Sequence, residues 1–127
     1  MSMKLATLLC SVLFTGLAVV AQETASHVFA CNLKAIPAAK RPHYNDLTKR
    51  LWSAARDRKE LPDGYAITLD GKAIRQTEIA DWIRMERLCC PFLSLDVTAS
   101  AHPGGWTLKL TGPEGVKTFL QAEFSLI

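Results

Sequence analysis

The chain has 127 residues, with 15 lysines and arginines against 12 aspartates and glutamates, which gives a formal net charge of +3. This small excess is scattered along the chain, so we predict neither a nucleic-acid site nor a polybasic membrane-binding patch. Residues 22–127 have the length of one ordinary domain, which is enough to bury a hydrophobic core.

Residues 1–21 have the pattern of an export signal. Lys4 is followed by a mainly apolar run over residues 5–20, and Val19-x-Ala21 before Gln22 matches a small-residue cleavage site. The run is slightly short for a membrane-spanning helix, which usually needs about 20 apolar residues, although a retained anchor is the alternative. We therefore predict a signal peptide over 1–21 and a single exported domain over 22–127. That domain would be periplasmic or secreted and would have no membrane contact after cleavage.

The first half of the domain predicts a strand, a helix and a second strand. Apolar and polar residues alternate over 27–33, which indicates a strand whose inward face carries Cys31. Pro42 suits the first turn of a helix, and residues 44–59 continue it with an apolar inner face and a basic outer face. The turn at residues 61–64 ends that helix, and the alternation over 65–70 predicts the next strand.

An amphipathic helix from about Thr77 to Cys89 is the centre of the predicted domain. At about 100° per residue, one face collects Ile79, Trp82, Ile83, Cys89 and Cys90. Pro91 disfavours helical geometry at Cys90, so the cysteine pair straddles the helix end. Glu86 lies near the middle of the apolar face, where a carboxylate is destabilising unless a partner satisfies it.

The second half predicts a hairpin and a last helix. Residues 93–101 and 106–111 alternate between apolar and polar on either side of a His-Pro-Gly-Gly turn. Pro113 and Glu114 suit the first turn of a helix whose inner face includes Val116 and Leu120. The predicted order is β-α-β-α-β-β-α. We therefore expect an α+β two-layer sandwich, with the helices on one face of a mostly antiparallel sheet.

The cysteines allow two arrangements. Of the 4 cysteines, Cys10 would leave with the signal, so Cys31, Cys89 and Cys90 remain in a compartment that normally favours disulfides. Adjacent cysteines pair with each other only through a strained ring. Either Cys31 is bonded to Cys89 or to Cys90, with one thiol left over, or three thiols are held together.

Three thiols held together predict a soft-metal site. Thiolates suit thiophilic ions such as copper(I), zinc, and heavier metals and metalloids. We therefore name Cys31, Glu86, Cys89 and Cys90 as candidate metal ligands, with Glu86 as a hard ligand or an outer partner. The sequence contains neither a Cys-x-x-Cys motif nor a histidine at ligand spacing, and either would have strengthened this hypothesis. The alternative is a structural or interaction module with one disulfide and no catalysis.

Enzymatic activity has little support in the sequence. We find no nucleophile, base and orienting group in a catalytic pattern, so we predict no catalytic residue and no cofactor beyond a thiophilic metal ion. A thiol-redox function is less favoured, because Cys89 and Cys90 lie at a helix C-terminus, where the dipole disfavours a thiolate. A metal ion brings its own positive charge and is less affected.

Three motifs resemble those of a known family. They are Leu-Pro-Asp-Gly-Tyr at 61–65, Glu-Arg-x-Cys-Cys-Pro-Phe at 86–92 and Leu-Thr-Gly-Pro-Glu-Gly at 110–115. Together they are similar to a family of small bacterial proteins with no established activity. The resemblance covers roughly residues 28–124, and Cys31 matches a cysteine in that family's first strand. It implies the domain outline and draws attention to the cysteines. The export signal is a departure, because such proteins mostly lack a leader.

Overall fold

A computed structural model describes residues 29–100 and 104–124; the predicted signal peptide lies outside this range. The described elements are two 3-10 turns, three helices and four strands. The turns are Leu33–Ala35 and Ala38–Lys40, and the helices are α1 (Arg41–Ala54), α2 (Gln76–Cys89) and α3 (Val116–Glu123). The strands are β1 (Ala55–Leu61), β2 (Gly64–Asp70), β3 (Ser94–Ala99) and β4 (Gly105–Thr111). They form one antiparallel sheet in the order β1-β2-β4-β3.

One face of the sheet carries the hydrophobic core. In β2, Tyr65, Ile67 and Leu69 are buried while Thr68 between them is exposed. Tyr65 and Ile67 lie opposite Leu110 and Leu108 of β4, and both leucines are fully buried. Helices α1 and α3 contact β2, and α1 also packs against α2. The predicted α+β class, with helices layered on an antiparallel sheet, is confirmed.

In the described part of the chain, the first strand follows the first helix instead of preceding it. Residues 29–32 have no regular structure, and Leu33 begins a 3-10 turn with its side chain 50% exposed instead of inward. Residues 27–28 of that expected strand lie outside the described part. Residues 55–59, predicted as the end of that helix, belong to β1 instead, because their backbone pairs with β2 across the turn after Leu61. The remaining elements follow the predicted order β-α-β-β-α.

Helix α2 begins at Gln76 and is tied to α1 at both its start and its middle. The helix was predicted to begin at about Thr77, but its N-cap is Arg75. The Arg75 backbone N–H donates to the Glu78 carboxylate at 2.9 Å. Glu78 also forms an ion pair with Arg50 of α1. One turn later, the indole N–H of Trp82 donates to Thr48 Oγ1 of α1 at 3.0 Å. These contacts fix the helix that carries the cysteine pair.

Glu78→Gln is expected to lower the free energy of unfolding by about 1 kcal/mol at neutral pH, because it weakens a helix cap and removes an ion pair. The bonds from Arg75 and Arg50 lower the pKa of Glu78 from 4.5 to about 2. A carboxyl group whose pKa is lower in the folded state stabilises the fold at pH values above its unfolded-state pKa. This stabilisation is lost as the pH falls through the folded-state pKa. The difference between wild type and variant should therefore shrink between pH 4.5 and about pH 2.

Urea unfolding at several pH values measures this difference. Asp46→Asn is the matched control, because Asp46 is an exposed carboxylate of α1 with no ion pair recorded among the described residues. A Glu78→Gln effect that did not change over this pH range would show that the ionised carboxylate is not the stabilising group.

The last helix begins one residue after a glycine with a left-handed backbone. Gly115 has φ +89° at the N-cap of α3, a conformation that other residues adopt only with strain. Val116 and Leu120 are buried beneath the helix, as predicted from their spacing. No helix in residues 29–100 or 104–124 is both long and apolar enough to cross a bilayer.

Candidate functional site

The segment before the first 3-10 turn brings Cys31 to the C-terminal end of α2. The Asn32 backbone N–H donates to the Cys89 carbonyl oxygen at 2.9 Å, which holds this segment beside the helix end. The Sγ atoms of Cys31 and Cys90 lie at disulfide distance, and their Cα atoms are 4.8 Å apart. This separation is within the usual range for a disulfide. Of the two pairings left open by the sequence, the structure selects Cys90.

The third thiol lies directly beside this pair. Cys89 is free and 1% exposed, and its Sγ is 3.7 Å from the Sγ of Cys90 and 3.8 Å from Glu86 Oε2. One ligand atom from each of Cys31, Glu86, Cys89 and Cys90 can be chosen so that all four lie within 4.8 Å of one another. We call these four residues the Cys–Glu cluster. All the candidate ligands named from the sequence therefore meet in one place.

Glu86 is a fully buried carboxyl group without a cationic partner in the described part of the chain. Its exposure is 0%, its Oε2 accepts a hydrogen bond from the Tyr44 hydroxyl at 2.7 Å, and its Oε1 is 4.0 Å from Cys31 Sγ. Burial raises the pKa of Glu86, although the bonds from Tyr44 and Cys89 act in the opposite direction. The group therefore keeps its proton to a higher pH than a surface glutamate does.

Tyr44 completes the site and was not among the predicted site residues. The sequence places it on the apolar face of α1, where it is 6% exposed, but its hydroxyl lies between Glu86 and Cys89. Burial, and then the neighbouring Glu86, raises the pKa of Tyr44 above its usual range, so the hydroxyl remains a hydrogen-bond donor. A tyrosine at a buried helical position needs a hydrogen-bond partner for its hydroxyl, and this requirement could have identified Tyr44 as a site residue from the sequence.

The free thiol is not activated. Burial raises the pKa of Cys89 to about 11, and the adjacent Glu86 adds to the shift. The thiol also lies in the last turn of α2, where the helix dipole disfavours a negative charge. Cys89 therefore stays a thiol near neutral pH, which agrees with the objection raised from the sequence against a nucleophilic cysteine.

A cleft opens beside Cys31. It has a volume of about 580 Å³, and its lining includes Phe29, Cys31, Phe119 and Glu123. Cys31 is partly exposed, whereas Cys89 and Cys90 are 1% and 0% exposed. A small solute that enters this cleft therefore meets the sulfur of Cys31 before it meets the other two.

Comparisons with known proteins do not add to this description. No family model, curated protein or solved structure matches the chain. The resemblance to the small bacterial family therefore stays a prediction carried by its three motifs.

Proposed function

We propose that the reduced protein binds one thiophilic metal or metalloid ion through Cys31, Cys89 and Cys90, with Glu86 in a supporting position. The observation that carries this proposal is the convergence of three sulfur atoms and a carboxylate oxygen within 4.8 Å of one another. Such a set of donors favours soft ions over hard ones. The donors come from two segments far apart in the sequence, and the packed core holds them close together.

Ion binding requires the Cys31–Cys90 pair to be reduced. At disulfide distance, two of the three sulfur atoms are committed to each other and cannot both act as thiolate ligands. The redox state of this pair therefore decides whether the cluster has one free thiol or three. The high pKa of Cys89 fits the same proposal, because the bound ion supplies the charge that makes a thiolate stable there.

Export is part of the proposal. Residues 1–21 would direct the domain to the periplasm or the medium, where cleavage after Ala21 leaves Gln22 as the first residue. The intact mass of protein recovered from that compartment checks this. A mass that retains residues 1–21 would contradict signal cleavage.

Reduced wild-type protein is expected to retain one equivalent of ion after removal of excess Cd²⁺ or arsenite without oxygen. Cys31→Ser and Cys90→Ser should each weaken retention by more than the 10–100-fold that loss of an outer-shell partner typically costs, because each removes a direct ligand. Elemental analysis of the desalted protein measures the retained ion.

The matched control is Met85→Leu. Met85 is a buried, sulfur-bearing residue of α2 that lies outside the Cys–Glu cluster, so its substitution should leave retention unchanged. Failure of the reduced wild type to retain either probe would remove the proposal. Equal retention by Cys31→Ser and wild type would place the ion elsewhere.

A structural or interaction module is the second candidate function, and the disulfide distance between Cys31 and Cys90 favours it. In that case the bond ties the segment at residues 29–32 to the end of α2, and Cys89 is a buried spare thiol. The two candidates differ in one respect, which is whether the reduced protein binds an ion.

A further inference from the structure

We infer that the ion held by the Cys–Glu cluster is a trivalent metalloid, arsenic(III) or antimony(III), rather than a divalent metal cation. This inference rests on the proposed function and specifies its ligand class. It follows from the charge that a bound ion would leave in a buried place, from the charges nearby, and from the number of available soft donors.

Charge balance favours a trivalent ion. Three thiolates carry three negative charges, so a trivalent ion gives a neutral site, whereas a divalent ion leaves one uncompensated negative charge. Cys89, Cys90 and Glu86 are 1%, 0% and 0% exposed, so solvent cannot stabilise that charge well. A net charge in such a place is strongly unfavourable unless a partner neutralises it.

The described surroundings offer no such partner. The five ion pairs of the described residues all involve other groups, so no recorded lysine, arginine or histidine pairs with the cluster. The charged side chains of the cluster and of the adjoining cleft are acidic, namely Glu86 and Glu123. The last carbonyl groups of α2 add partial negative charge at the same end, and Arg87, the basic residue of that last turn, is exposed to solvent. Each of these features penalises a site with further negative charge.

The number of donors leads to the same ion class. Divalent zinc in protein sites usually takes four ligands, and the cluster supplies three sulfur atoms. The fourth available group is Glu86, whose Oε2 accepts the Tyr44 hydrogen bond at 2.7 Å and whose Oε1, 4.0 Å from Cys31 Sγ, would be a hard oxygen ligand. A trivalent metalloid binds three thiolates in a pyramid whose fourth position holds its own lone pair. It therefore needs no fourth ligand.

A thiol reductant first converts the Cys31–Cys90 disulfide to two thiols, and from the reduced protein the binding reaction is balanced without an oxidant or a further reductant. Arsenite reaches the site as neutral As(OH)₃, meets Cys31 in the cleft, and is then passed to Cys89 and Cys90. Three As–S bonds form and three As–O bonds break, and each thiol proton leaves with a hydroxide as water. No electron is transferred and no net proton is released. A divalent cation would instead displace the thiol protons into solvent.

The test compares arsenite and Cd²⁺ as probes of the reduced full chain without oxygen. The affinity for each probe is measured in the folded protein and in the same chain unfolded in urea, where the thiols are solvated. We expect folding to raise the affinity for arsenite at least about tenfold more than the affinity for Cd²⁺, because only Cd²⁺ leaves a buried charge. The mass of the complex should show one arsenic atom gained and three hydrogen atoms lost.

Glu86→Gln provides a second, independent test, because glutamine can still accept the bond from Tyr44 but carries no charge. We expect Glu86→Gln to raise the affinity for Cd²⁺ relative to the affinity for arsenite, with Met85→Leu as the control for a change in packing. A folded protein that favours Cd²⁺ as much as the unfolded chain does, or a Glu86→Gln protein in which the ratio of the two affinities does not rise, would overturn the inference while leaving the proposed function intact. Binding of neither probe would remove both.

Discussion

Reduction of the Cys31–Cys90 pair is expected to lower the free energy of unfolding by about 4 kcal/mol. The two cysteines are 59 residues apart in the sequence. A bond across a loop of this length removes much of the conformational entropy of the unfolded chain, which is the main source of the stabilisation. Natural domains have total stabilities of about 5–15 kcal/mol, so the redox state of this one pair should dominate the unfolding curve.

Urea unfolding with and without reductant measures the effect, and alkylation under denaturing conditions followed by intact mass counts the free thiols. The oxidised protein without residues 1–21 should show one alkylated thiol, because Cys89 is the unpaired cysteine among the described residues. The difference in stability between oxidised and reduced protein should persist in Cys89→Ser and vanish in Cys31→Ser. Three alkylated thiols in protein taken from its own compartment without reductant would show that the pair is not formed there.

Trp82→Ala is expected to lower the free energy of unfolding by a similar amount, about 4 kcal/mol. The indole of Trp82 is 0% exposed and packs in the hydrophobic core on the inner face of α2. Its removal forfeits the transfer free energy of a large side chain, leaves a cavity, and breaks the hydrogen bond to Thr48. Since α2 carries Glu86 and Cys89, removal of the Trp82 side chain should also weaken ion retention if α2 becomes less firmly packed.

A pair of phenylalanine substitutions separates the hydrogen bond from the packing. Trp82→Phe should cost about 1–2 kcal/mol because it removes the donor to Thr48. Trp52→Phe should cost less, because the buried indole N–H of Trp52 has no acceptor among the described residues. Unfolding curves at one pH give both values. A Trp82→Ala protein within about 1 kcal/mol of wild type would show that the helix does not depend on this contact.

The parts of the fold that the sequence predicted correctly are those in which burial leaves a periodic pattern. Strand β2 alternates through Tyr65, Ile67 and Leu69 because one face is covered and the other is wet. Strand β1 has no such pattern, since residues 56–60 are all charged and exposed, and its existence depends on backbone pairing with β2. The apolar–polar alternation around Cys31 did not indicate a strand. The described part of that segment, residues 29–32, bonds to the end of α2 through Asn32 and has no regular structure.

The candidate site was predictable in its members and not in its connections. Cysteines on an inward helix face and a carboxyl group among apolar residues can be recognised from spacing alone. The choice of Cys90 over Cys89 depends on how the chain leaves α2, where Cys90 is the C-cap and has left helical geometry. The bond from Tyr44 to Glu86 joins positions 42 apart, and no local pattern specifies such a contact.

The charged sequence of β1 has a consequence for how molecules of this protein meet. β1 is at one edge of the described sheet, so one side of its backbone is left without a strand partner there. Five successive charged residues at 56–60 lie along this edge. A strand from a second molecule that approached this edge would have to desolvate these charges, which opposes growth of the sheet into aggregates. The charged residues 56–60 therefore have two effects: they remove the apolar–polar alternation that would predict a strand, and they oppose pairing of its edge with another chain.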